Sequence, residues 1–122
     1  MCRRIHGPRD PYEHKFVAAL VSIGQDVRLS SDEEDELEGF DAVDYEYGIR
    51  IDFHVGSTNT LRFAKKLAKQ AVSNIRILSV PLALHDAICS PCCTEEELQQ
   101  FANLYEQFLE AAGAFRRVLA RA

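Results

Sequence analysis

No stretch of this sequence comes near 18 consecutive apolar side chains, which excludes a membrane-spanning helix of ordinary length. The opening residues, Met1 to Pro8, carry Arg3 and Arg4 without the apolar run that a signal peptide needs, so a cytoplasmic location is expected. Cysteine is scarce and badly spread for disulfides: Cys89, Cys92 and Cys93 crowd together and Cys2 stands alone, a pattern of reduced thiols. Positive charge is also short. The 14 lysines and arginines face 19 carboxylates, a net charge of −5 that argues against a general nucleic-acid footprint. Three motifs are missing as well: the glycine-rich dinucleotide turn, the phosphate loop with its lysine, and the strained nucleophile elbow of hydrolases.

What is present fits one globular domain. The chain has 122 residues, 47% apolar and 27% charged, enough to hide roughly two-thirds of its unfolded surface. Residues 1–9 read as a mobile basic tail, broken at Gly7-Pro8, and residues 10–122 as the domain.

The charge is unevenly placed. Between Asp26 and Asp52 lie eleven carboxylates and two arginines, a local −9, whereas the remainder nets +4. Such a block reads as a docking surface for a basic protein, steering association at long range, and the solvated loop is its bland alternative.

Periodicity places the elements. Asp10-Pro11 opens a helix with Tyr12, Phe16, Ala19, Leu20 and Ile23 on one face, closed by Gly24. A short strand is expected at Val27 to Leu29, then one or two acidic helical turns ending at Gly39. From Val43 to Val55, apolar and polar residues alternate without a break, which predicts one long strand with a bulge or bend at Gly48. Its polar face would carry Arg50, Asp52 and His54 to solvent. A helix capped by Ser57 should reach about Val72, with Leu61, Ala64, Leu67, Ala68 and Ala71 inward and Arg62, Lys65, Lys66 and Lys69 as an outer basic stripe. Ile75 to Val80 reads as a second core strand and Leu82 to Ile88 as a short helix. Thr94 and Glu97 then form a capping box for a helix that the seam of apolar residues extends to as many as 27 residues.

These elements predict an α/β or α+β fold, a small two- to three-stranded sheet with helices packed on one face and a long C-terminal helix. A sheet so small favours a homo-oligomer joined through that helix or the long strand. The expected function is a non-enzymatic acidic binding protein, an inhibitor, immunity factor or regulatory adaptor, that docks a basic surface through Asp32, Glu33, Glu34, Asp35, Glu36, Asp41, Asp44 and Glu46. The alternative is a small anion- or nucleotide-binding domain, open to catalysis, at the Gly56 to Thr60 turn, with Gly56, Ser57, Thr58 and Arg62 as ligands. No catalytic residue, metal or cofactor is assigned. His85 with Cys89, Cys92 and Cys93 offers soft ligands, but the second knuckle of a closed zinc site is missing.

Overall fold

The computed structural model describes residues 11–37 and 39–113, leaving aside the side chains of Pro11, Asp35, Glu36 and Leu37. The expected tail at 1–9, the Asp10 cap and any continuation of the last helix past Gly113 lie outside these residues.

Proline at the first position opens helix α1 (Pro11–Ser22), and Gly24 reverses the chain into strand β1 (Val27–Leu29). Helix α2 (Asp32–Leu37) begins with a reciprocal cap: the Ser31 N–H donates to Glu34 Oε1 and the Glu34 N–H to Ser31 Oγ. Strands β2 (Ala42–Asp44) and β3 (Ile49–Val55) form an antiparallel hairpin. Helix α3 (Leu61–Val72) crosses over to strand β4 (Ile75–Val80), which pairs parallel with β3. Helix α4 (Leu82–Cys89) and helix α5 (Glu95–Ala111) complete the described chain, α5 carrying the capping box of Thr94 and Glu97. The fold is mixed α/β, with a four-stranded sheet in the order β1-β2-β3-β4.

The single long strand expected from Val43 to Val55 is instead this hairpin, with residues 45–48 as its turn. Asp44 builds the turn: its Oδ1 accepts from the N–H groups of Glu46 and Tyr47, and its carbonyl accepts from Gly48, whose φ of +69° completes the reversal. The sheet therefore has four strands rather than two or three. Because β3 lies between β2 and β4, it has no free edge to lend to a second chain, which removes the long strand as an oligomer contact.

Helices cover both faces, not one. On the first face Phe16 of α1 meets Phe53 edge-on at 5.3 Å and Phe101 of α5 at the same distance. Leu20, Val27, Ile51, Leu78, Val80 and Tyr105 fill the space around them, a core of more than a dozen buried residues. On the second face lies α3, none of whose residues is fully buried. It is also rotated from the expected orientation. Leu61, Ala64, Leu67, Ala68 and Ala71 are exposed, while Phe63, Lys66, Lys69 and Gln70 turn toward the sheet. The helix cap is Thr60, whose hydroxyl accepts from the Phe63 N–H, rather than Ser57.

Candidate functional site

The acidic block divides on folding, and each half follows from its place on the hairpin. Asp32 and Glu33 are exposed on the first turn of α2, and Glu46 is exposed at the hairpin tip beside Tyr45. Glu34 is half-buried and serves as the reciprocal cap of α2. The Asp35 and Glu36 side chains lie outside the described set. Asp41 and Asp44, by contrast, are 7% and 0% exposed, so the structure contradicts their place on a docking surface.

Asp44 is inward because its register partner is the core residue Ile49, and the core supplies it with donors. The Tyr105 hydroxyl donates to Asp44 Oδ2 at 2.6 Å, joining α5 to the hairpin turn. Burial, and then this bond to a carboxylate, push the Tyr105 phenol well above its ordinary range, so it stays a donor.

Asp41 and Asp52 form a second buried group. The Asp41 N–H donates to the Ile51 carbonyl, opposite which the register already places Ala42, so the chain leaves the ladder just before β2 and the Asp41 carboxyl meets that of Asp52. Asp41 Oδ2 accepts from the Phe53 N–H at 2.7 Å, and the two carboxyls hydrogen-bond each other. Two like charges cannot both persist there. Burial first, the bond to Asp52 second and the charge of Glu13 third raise Asp41 to about 9, so it carries a proton at neutral pH.

The charge left on Asp52 explains the orientation of α3. Lys69 Nζ lies 3.1 Å from Asp52 Oδ2, an ion pair without the alignment of a hydrogen bond, and Lys66 Nζ lies 3.8 Å from Asp52 Oδ1. Each ammonium also caps a carbonyl: Lys66 donates to Phe53 O and Lys69 to Gly39 O, both at 2.6 Å. Burial lowers the pKa of Lys66 against the pull of Asp52. Gly39 has a φ of +74°, which strains any residue with a Cβ, and a Cβ there would lie 3.1 Å from Lys69 Nζ, so the ammonium would have to shift. Thus half of the expected basic stripe faces the sheet.

His54 shares this face and is 1% exposed, under the ring of Phe63 at 4.9 Å. Its Nε2 lies 2.8 Å from the Ser57 carbonyl and therefore bears the hydrogen, while Nδ1 is buried with no partner among the described residues. Asp52 and His54 were expected on a solvent-exposed face; they lie beneath α3 instead, because Lys66, Lys69 and Phe63 cover them. Arg50 alone of that face is exposed, with its guanidinium 5.2 Å from the centre of the Phe40 ring. A proton-sharing carboxyl pair beside lysines has the make-up of acid–base machinery, but a substrate would reach it only if α3 lifted away. Sequence reasoning missed the pair; the signal was the parity of Asp41 and Asp52 once a turn is placed at 45–48.

The Gly56 to Thr60 turn follows the carboxyl ends of the parallel strands. The Gly56 N–H donates to Val80 O, Ser57 Oγ accepts from the Asn59 N–H, Thr58 is exposed, and Arg62 Nη2 reaches Val55 O at 3.3 Å. Much of the expected anion-binding equipment therefore bonds within the chain. Around the cysteines, Cys89 is buried, Cys92 exposed and Cys93 intermediate, and His85 Nδ1 lies 2.9 Å from Asp86. Among the described residues, no group of three or more His, Cys, Asp or Glu side chains is placed to hold a metal ion. No described helix is long and apolar enough to cross a membrane. Comparison with protein-family models, with curated proteins and with solved structures finds no match to this chain.

Proposed function

We propose that this chain is a non-enzymatic acidic binding protein, an inhibitor or regulatory adaptor, that docks a basic surface of another macromolecule along its β1 edge. Asp32 and Glu33 stand at one end of the short β1–β2 pair, and Glu46 and Asp26 at the other. The observation that carries the reading is that Glu33 and Glu46 are exposed and pair with no cation among the described residues. Beside Glu46, exposed Tyr45 lies under the Arg28 guanidinium at 4.7 Å, the kind of aromatic that interface centres favour. Asp41 and Asp44 take no part in this surface.

The triple change Asp32→Asn, Glu33→Gln and Glu46→Gln tests it against the basic partner recovered from the host. Association should slow several-fold and lose most of its salt dependence, with the melting temperature unchanged, because exposed charges act mainly on encounter. An unaltered association rate at low salt would end the proposal.

A second reading, an anion or nucleotide at Gly56, Ser57, Thr58 and Arg62, has one supporting observation. The turn sits beyond the carboxyl ends of parallel β3 and β4, where open α/β sheets bind ligands.

A further inference from the structure

Among the described residues the sheet ends in an open edge at β4, and a groove of about 710 Å³ runs beside it. Its walls are Leu67 and Ala71 of α3 on one side and Phe108 and Ala112 at the end of α5 on the other, with the β4 backbone as the floor. Gln70 Oε1 accepts from the Ile77 N–H, so that amide points away from β3. By the two-residue period of a strand, the Ile77 carbonyl and the N–H and carbonyl of Ser79 point the same way. No described residue hydrogen-bonds these three groups. Edge groups of this kind, in a groove between two helices, are the features to which an extended peptide adds as a strand.

Charge decides what kind of strand. Arg76 is the one charged side chain among the described groove-lining residues, and the one group its guanidinium hydrogen-bonds among described residues is the Ile75 carbonyl. The pairing of β4 with β3 sets Arg76 on the face of Leu78 and Val80, toward α5, and Ile77 and Ser79 on the face toward α3. An added strand would present alternate side chains to these two walls. Its apolar residues would meet Leu67 and Ala71, and a carboxylate on the other face would meet Arg76. A second copy of β4 would bring another Arg76 into the same groove. The chain's own residues 114–122 carry Arg116, Arg117 and Arg121 and no acid.

We infer that the β4 groove binds an extended segment of another protein, apolar at alternate positions and acidic at those between, as a fifth strand with a carboxylate on Arg76. This site is separate from the acidic β1 edge, at the opposite side of the sheet.

Fluorescence anisotropy on the full chain tests it with three labelled peptides: an alternating valine–glutamate nonapeptide, its valine–lysine counterpart, and the sequence of residues 114–122. The glutamate peptide should bind saturably and the lysine peptide at least tenfold more weakly, with Arg76→Glu inverting that order. Ser79→Pro removes an N–H that points away from the β3 ladder and should abolish binding; Leu67→Asp, at an exposed wall position, should do the same if the proline variant does not fold. The triple acidic-edge variant should bind the glutamate peptide as the wild type does, so failure here is distinct from failure at the β1 edge. Three results would each overturn the inference: no binding of the glutamate peptide, tighter binding of the 114–122 peptide, or a wild-type dimer that Ser79→Pro converts to monomer.

Discussion

Two buried carboxyls as close as those of Asp41 and Asp52 would ordinarily repel, and here one of them keeps its proton. Asp41 holds a proton in the folded state that the unfolded chain releases near 3.8 and the folded chain only near 9. At this group the folded form binds more protons throughout that window, so the contribution of Asp41 to stability is greatest below about pH 4 and falls as the pH rises toward 9. One proton gives a slope of at most about 1.4 kcal/mol per pH unit. Asp41→Asn keeps the geometry without the titration: the amide oxygen can accept from the Phe53 N–H and the amide nitrogen can donate to Asp52. The variant should therefore match or exceed the wild type in stability at neutral pH, its advantage widening from pH 4 to 9. Urea unfolding of both proteins across that range measures the difference. Parallel curves would show that the pair does not share a proton.

At the scale of elements, the hairpin turn rests on Gly48. Its φ of +69° is costly for any residue with a Cβ, although no atom lies within 4 Å of where that Cβ would sit. Gly48→Ala should therefore cost about 1–2 kcal/mol from backbone strain alone, and Gly48→Asn clearly less. Equal chemical-denaturation midpoints for the glycine and alanine forms would contradict this account of the turn. The same turn shows what alternation can hide. In the β2–β3 register each even position faces an odd one, as with Ala42 and Ile51 or Asp44 and Ile49. Unbroken alternation of odd apolar residues thus describes β3 correctly and gives β2 the wrong face. Tyr45 and Tyr47 keep the rhythm although they lie in the turn. The α1, β1, α2, β4, α4 and α5 segments were legible because caps, glycines or branched runs mark them locally. The orientation of α3 was not, since its lysines turn inward to a carboxylate that becomes buried only when the distant strands pair. The candidate site inherits both difficulties: the exposed members of the acidic block were readable, but the burial of Asp41, Asp44 and Asp52 depends on pairing.

For the molecule as a whole, the two faces of the sheet are held by different physics. One is a close-packed layer in which Phe16, Phe53, Phe101 and Tyr105 are at most 1% exposed, and apolar burial of this kind is lost only when the domain opens. The other depends on α3, which buries no residue fully and leaves Leu61 at 74% and Val72 at 87% exposure. Its attachment rests on the anchors from Lys66 and Lys69 to Asp52 and two carbonyls, the Gln70 bond to Ile77, and the contact of Phe63 with His54. Such a helix can detach while the core stays intact, because the bonds it would lose are partly replaced by water and little apolar area is exposed. Native-state hydrogen exchange should show α3 amides opening with a lower free energy than those of β3 and α5, and with little dependence on denaturant. Lys66→Met should lower it further, by about 1–3 kcal/mol, since Asp52 would then keep one cation instead of two. Opening of this helix would also loosen the wall of the β4 groove formed by Leu67 and Ala71. A peptide bound there should consequently slow exchange in α3 more than in α5. If α3 exchanges only through global unfolding, the two faces are one cooperative unit and the helix is not a separate layer.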